Sequence, residues 1–425
     1  MFCRSFRDFV LPDHLLDQLS KGNVVIFAGA GVSTEAKTVF PWTLYEEIHS
    51  ELKLKDSDQP SFPALMSKYC RRPDGRIKLI QHIHRRLNYV SSFSELYRTA
   101  TSFHRELSTL FYIDTIITTN WDDYFERECG AMPLSTPADF ALWNVPSRKV
   151  YKIHGSANNY GSIIATEEDY ANAQDTLQKG SLGSALKLQL ATKTVLYVGY
   201  SLLDYDFISI LTYLRRELGH LSPLAYVVSL DEAADEKFRE LGLHPIYTDA
   251  TYFMSVLKRH IEDDGHFLPD QRFDSIPLVI ERVRVEHEHL HQAFDLQKTP
   301  EIIYAAAYQD GLIHAFERII DLYKSGEYSH RCHVIQLIQS YDKISKDNLH
   351  RKRYVDVAYI EGYLNGLMYL VSHDRLRRYL PLYYVYGAKY QPTSFTKFKA
   401  TLRFRKTSHK SALVHLLQLR TKSAL

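Results

Sequence analysis

The chain has 425 residues, 45% hydrophobic and 24% charged, which is the balance of a folded globular protein and excludes a disordered or fibrous one. That length exceeds one ordinary core, so two domains are expected. The formal net charge of +2 names no partner. The cysteines Cys3, Cys70, Cys129 and Cys332 form no CxxC pair, so neither a zinc knuckle nor a disulfide framework is legible.

Residues 1–21 interrupt their apolar positions with Arg4, Arg7, Asp8 and Asp13, which is not the unbroken apolar stretch of a signal peptide. Short apolar, β-branched runs then recur at 24–28, 114–118, 150–153, 194–198, 225–229 and 245–247. Amphipathic stretches lie between them at 43–54, 76–87, 103–111, 183–192, 205–218 and 232–241. Apolar strands alternating with helices predict an α/β domain, a doubly wound Rossmann-like parallel sheet covered on both faces. The most apolar run, 195–214, is broken by Asp204 and Asp206, which are costly in a bilayer, so no membrane span and a cytoplasmic protein are expected.

Residues 263–277 are rich in Asp, Gly and Pro, which places a domain boundary there and gives expected domains of 1–270 and 271–425. Beyond it the strand signal fades, and 301–323, 331–345, 354–371 and 374–385 carry helical spacing, predicting a smaller, mainly helical C-terminal domain. Its tyrosines, among them Tyr304, Tyr308, Tyr383, Tyr384 and Tyr386, fit either an exposed contact surface or a small helical core. Residues 391–425 hold Lys397, Lys399, Arg403, Arg405, Lys406 and Lys410 without one Asp or Glu. Such a tail is either a solvated face or a holder of nucleic-acid phosphates.

Four short motifs follow four of the strands. Gly29-Ala30-Gly31-Val32-Ser33 comes directly after 24–28. Small residues there allow a sharp turn and close approach to a pyrophosphate, and Ser33 can add a hydrogen bond. By itself the motif fits ligand contact and a merely tight turn equally. It is not GxGxxG, and no GK[ST] follows to make a Walker loop.

Thr118-Thr119-Asn120-Trp121-Asp122 ends the second run, where an amide and a carboxylate could hold ribose hydroxyls, a nicotinamide amide or a water, or could simply cap the next helix. His154-Gly155-Ser156 follows 150–153. A neutral imidazole at a strand's carboxyl end can accept a proton near pH 7, and Gly155 leaves room beside it. Gly199-Tyr200-Ser201-Leu202-Leu203-Asp204-Tyr205-Asp206 follows 194–198. Gly199 permits close approach, Ser201 can bond a ribose or phosphate oxygen, Asp206 offsets a helix dipole, and Asp204 fits either role.

In this order, GAGVS, TTNWD, KIHGS and VGYSLLDYD resemble the sirtuin-like family in its zinc-less bacterial antiphage defence branch, over roughly residues 15–261. The resemblance implies that Gly29, Ala30, Gly31 and Ser33 hold the phosphates of NAD, and that Asn120 positions ribose and the attacking oxygen. It further implies Asp122 on the nicotinamide side, His154 as general base, and Gly199 and Ser201 at the adenosine end, with Asp204 kept as a further binding residue. The protein deacylases of the family carry a four-cysteine zinc module, whereas no cysteine lies between His154 and Gly199 here. Glu167-Glu168-Asp169-Tyr170 in that interval resembles a stretch of the zinc-less branch.

The implied reaction is hydrolysis of NAD, as substrate, to nicotinamide and ADP-ribose. No metal is expected, since the leaving nicotinamide departs neutral. A deacylase or ADP-ribosyltransferase, and a non-catalytic NAD or ADP-ribose sensor, are the alternatives. The missing zinc module speaks against the first, and the presence of both Asn120 and His154 against the second. The resemblance also implies a homo-oligomer and a HerA-type hexameric ATPase as partner, ahead of nucleic acid held by the basic tail.

Overall fold

A computed structural model describes residues 9–401, apart from 37, 56, 144, 146, 201–222, 264–266, 325, 373–379, 384–391 and 393. Two compact units divide the chain, Met1–His260 and Ile261–Leu425.

The first unit is built on seven parallel strands: β1 (Val24–Ala28), β2 (Thr115–Thr118), β3 (Met132–Leu134), β4 (Lys149–Lys152), β5 (Thr194–Val198), β6 (Ala225–Ser229) and β7 (Leu243–Tyr247). Their order is β3-β4-β2-β1-β5-β6-β7, so the chain runs from β1 through β2 to the edge strand β3, steps back to β4 between them, and then winds outward on the other side of β1 from β5 to β7. Right-handed crossovers in a sheet whose winding reverses place helices on both faces, and this is a doubly wound α/β fold. Every residue of β1 and β5 is buried, as two covered faces require. On one face Val25, Phe27, Ile117, Tyr151 and Tyr197 pack under Leu182, Leu186 and Leu190 of helix Ser181–Thr192.

The three-residue strand β3 has no counterpart in the sequence reading, because Pro133 interrupts a run already too short to show alternation. It pairs only with β4, and an edge strand tolerates a residue without an N–H. Pro245 sits in β7, the opposite edge, so each edge strand carries a proline that blunts further pairing.

Helices also form at Phe62–Cys70, Glu167–Lys179 and Ala250–Asp263, where no helix was expected. The first of these starts with Pro63 in its opening turn. The expected helix 43–54 is Leu44–Glu51, opened by a reciprocal capping box between Thr43 and Glu46. The expected helix 205–218 lies outside the described residues.

In the second unit the expected linker 263–277 contains helix. Helices Gln271–Asp274 and Ile276–Ala293 occupy it, with Pro277 in the first turn of the latter, where its missing N–H costs no helical bond. Helices Ile302–Tyr323, Arg331–His350 and Tyr354–Val371 follow. Residues 380–383 of the expected helix 374–385 are not helical, and its remaining positions lie outside the described residues.

The first and third of these long helices meet backbone to backbone. A Cβ at Gly311 would stand 2.0 Å from the Tyr359 carbonyl oxygen, and one at Gly362 1.9 Å from that of Tyr308. Tyr304, Tyr308 and Tyr383 are buried in this helical core, so these three do not form an exposed contact surface. Tyr384 and Tyr386 lie outside the described residues. Among the described residues, no helix is long and apolar enough to cross a membrane.

Candidate active site

Strand register sets the geometry. Ala28 pairs with Thr118 on one side and Val198 on the other, and Thr118 pairs with Lys152. The carboxyl ends of β4, β2, β1 and β5 therefore stand in one row, and all four motif loops leave the sheet side by side. The direction of winding reverses between β1 and β5, which is where open α/β sheets bind ligands.

The loop after β1 turns as a short 3-10 segment, Ala30–Val32, and locks to the loop after β5. Gly29 N–H donates to the Val198 carbonyl at 2.9 Å and Gly31 N–H to the Gly199 carbonyl at 3.0 Å. Ser33 N–H closes the turn on the Ala30 carbonyl at 3.1 Å. A Cβ at Gly29 or Gly31 would meet the Gly199 oxygen at 2.6 or 2.9 Å, and Gly199 itself holds φ +70°. These glycines are required by the approach of one loop to the other.

Asn120 connects this turn to β2. Its side-chain Nδ2 donates to the Gly29 carbonyl at 3.1 Å and lies 3.4 Å from Ser33 Oγ. A backbone carbonyl only accepts, so this contact fixes which end of the amide faces it. The opposite atom, Asn120 Oδ1, is buried and has no hydrogen-bond partner among the described residues. A buried acceptor left unpaired is costly, and a ligand hydroxyl or water would satisfy it.

Asp122 is also buried. Its Oδ2 accepts the Ser33 hydroxyl at 2.7 Å and its Oδ1 accepts the Tyr124 N–H at 3.2 Å. One carboxylate thus joins the two loops and takes the first N–H of helix Tyr124–Cys129, whose N-cap is Asp123, so each oxygen has a protein donor.

His154 follows Lys152 on β4 by two residues, as Asn120 follows the paired Thr118 on β2. It is buried, and its ring stands edge-on to Tyr170, centroids 5.1 Å apart. Tyr170 belongs to helix Glu167–Lys179, whose start is fixed by Asp169. The Asp169 Oδ2 accepts the Ala165 and Thr166 N–H groups, each at 3.0 Å, and pairs with Arg76 at 2.7 Å. The space expected beside Gly155 is filled by the protein itself, since a Cβ there would lie 2.1 Å from the Ser162 oxygen at φ +80°. Ser201 and Asp204 lie outside the described residues.

The sequence reading left out three neighbours of the site. The Tyr200 hydroxyl donates to the Ala28 carbonyl at 3.2 Å and lies 3.0 Å from Thr119 Oγ1. Its place directly after Gly199 could have marked it. Glu35, just beyond the glycine turn, pairs with Arg86 at 2.9 Å and accepts the Leu44 N–H at 2.8 Å. It anchors the segment beyond the glycine turn to helix Gly75–Ser92. Lys152 is fully buried on β4, and only the lysine of KIHGS itself pointed to it.

Residues 114–246 match the SIR2-like domain. That SIR2-like stretch contains Asn120, Asp122, His154 and Gly199, and the sheet adds β1 with its glycine turn at its centre. The chain is 32% identical over 217 residues to NAD(+) hydrolase ThsA of Cytobacillus dafuensis, covering 49% of this chain and 42% of that protein. It is 27% identical over 240 residues to NAD(+) hydrolase ThsA of Acinetobacter baumannii (strain 532279), covering 54% and 48%. With defence-associated sirtuin 2 of Bacillus subtilis it shares 24% over 208 residues, covering 46% and 19%. The chain spans less than half the length of these curated relatives. A solved structure titled "Structural Basis for the Mechanism and Regulation of Sir2 Enzymes" aligns at TM-score 0.33 and 13% identity, over 59% of this chain and 96% of that one. Among the described residues, no group of three or more His, Cys, Asp or Glu is arranged to hold a metal ion.

Proposed function

We propose that this chain is an NAD hydrolase that cleaves NAD to nicotinamide and ADP-ribose. The observation carrying the reading is the buried Asn120 Oδ1, without a partner among the described residues and held by its own amide at the row of strand ends where the SIR2-like loops converge. An acceptor so placed takes a hydrogen bond from a ribose hydroxyl or from the attacking water. In the reaction the bond between the nicotinamide nitrogen and ribose C1′ breaks, and its electron pair leaves with nicotinamide. The water oxygen bonds to C1′, and His154 accepts the water proton. Positioning in a site closed to bulk water favours the oxocarbenium-like transition state, and a placed base contributes about 10²–10⁴-fold. The similarity to proteins named NAD(+) hydrolase supports the same reading. Incubation of purified protein with NAD, with both products quantified, tests it. Stoichiometric nicotinamide and ADP-ribose are expected, while NAD loss only in the presence of an acyl-lysine peptide or an acceptor protein would replace hydrolysis by group transfer.

The likeness to a defence-associated sirtuin supports a role in antiphage defence, by abortive depletion of the cytoplasmic NAD pool. Infected cells carrying the wild-type chain should lose NAD, and cells carrying His154→Ala should keep it. Equal protection by the two would end this reading. Self-association and a HerA-type hexameric ATPase are the proposed assembly, and light scattering of the chain alone and mixed with such an ATPase tests it. A monomer that binds neither, but binds DNA tightly at low salt, would favour nucleic acid as the partner.

A further inference from the structure

Lys152 is the last residue of β4, and its side chain has no exposure to solvent. A lysine ammonium is seldom buried this deeply unless its charge and its N–H groups are met. Here it donates to the backbone carbonyl of Asp122 and stands 3.2 Å from Glu126 Oε1. Asp122 belongs to the loop after β2, which also carries Asn120, and Glu126 to the helix Tyr124–Cys129 just beyond that loop. Lys152 itself lies two residues before His154. One side chain therefore ties the end of the strand that leads into His154 to the loop that carries Asn120.

Beyond the end of the β2–β4 ladder other ties join the two segments as well. Ile153 N–H donates to the Thr118 carbonyl at 3.0 Å and Ala157 N–H to the Trp121 carbonyl at 2.7 Å. Neither of these holds Asp122, whose carboxylate in turn takes Ser33 from the β1 turn.

We infer that Lys152 is a positioning residue for the proposed NAD cleavage, setting the spacing between Asn120 and His154 through the Asp122 backbone. This rests on the NAD hydrolase reading. It adds a residue that touches neither substrate nor water and acts only through the loop it holds. Displacing a reacting group by about 1 Å can cost on the order of 10²-fold in rate, so loss of the tether should be felt in kcat.

Lys152→Met alone would leave Glu126 buried beside no cation and could fail to fold. The informative variant is Lys152→Met/Glu126→Gln, which removes the ammonium without stranding a charge. Melting temperature, kcat and KM for NAD, and amide hydrogen exchange over residues 119–124 would be compared with wild type. The expected result is a melting temperature close to wild type, kcat lowered about tenfold or more with KM little changed, and faster exchange in that loop only. Parent kcat, a kcat loss that tracks the unfolded fraction, or lost kcat with unchanged loop exchange would each overturn the assignment. Should wild type leave NAD intact while the variant's loop exchanges faster, the NAD hydrolase reading falls and the tether stands. With unchanged exchange, both fall.

Discussion

The Ser33 hydroxyl donates to the Asp122 carboxylate across 2.7 Å, joining the loop after β1 to the loop after β2 through two buried side chains 89 positions apart in sequence. Ser33→Ala removes the donor and leaves Asp122 Oδ2 without it. An unsatisfied buried acceptor costs about 1–3 kcal/mol, more if charged. We expect a lower melting temperature together with a reduced kcat/KM for NAD, whereas Ser33→Thr, which keeps the hydroxyl, should lose less of both. Thermal unfolding and initial-rate kinetics on the three proteins check this.

Asn120 offers a sharper test, because its two amide ends do different work. Asn120→Asp keeps an acceptor where Oδ1 stands but replaces the donor that faces the Gly29 carbonyl. Two oxygens would then face each other in a buried site, so the variant should lose stability as well as turnover. Asn120→Ala should lose NAD turnover with a smaller fall in stability, as should His154→Ala. Parent-rate NAD loss by folded Asn120→Ala or His154→Ala, with folding established by circular dichroism, would refute the roles given to them.

His104 predicts a pH dependence away from the reacting end. It is wholly buried against Phe103, Tyr124 and Phe125, with neither ring nitrogen hydrogen-bonded among the described residues. Burial, reinforced by the nearby charges of Lys152 and Arg105, pushes its pKa down to about 3. Between the unfolded value of about 6.5 and the folded one, the unfolded chain binds one proton more. Stability therefore falls as pH drops through that window, by about 1.4 kcal/mol per pH unit for this one group. His104→Phe should flatten that limb of the stability profile. Chemical denaturation of both proteins from pH 7 to pH 4 would show it, and parallel curves would refute it.

In the helical unit, Gly362→Ala sets two opposing effects against each other. Alanine favours a helix over glycine by about 1 kcal/mol. The new Cβ, however, would sit 1.9 Å from the Tyr308 carbonyl oxygen, a backbone atom that moves only if helix Ile302–Tyr323 moves. Overpacking of this kind costs about 1–3 kcal/mol, so a net loss of stability is expected. Denaturant titration gives the sign, and a stabilised variant would show that the helices part freely.

Strand content and the row of strand ends were legible because fully buried parallel strands appear as continuous apolar runs, and all six expected strands lie within two residues of observed ones at each end. Strand β3 was not, since three residues with a central Pro133 carry no period. Helix Ile276–Ala293 was hidden by its own Pro277, which reads as a breaker until it is seen in the first turn. At the site, residue types marked Asn120, Asp122 and His154, but not their partners. The Ser33–Asp122 bond and the Lys152 contact join positions 89 and 30 residues apart, and no local pattern records such pairings. The tyrosines were ambiguous for a different reason: a hydroxyl makes the residue look amphipathic, while Tyr308 has its ring wholly buried and its hydroxyl on the Pro381 carbonyl.

The contact of Gly29 and Gly31 with Gly199 makes three distant positions a single unit of variation. Any side chain at one of the first two presses on the third, and Gly199 at φ +70° cannot turn aside to make room. A library that randomises these codons one at a time should therefore return glycine at each. Only simultaneous change of both loops, with a longer turn after β5, could release any of them. Exchange of the β1 turn between distant homologues should likewise fail unless the β5 turn travels with it.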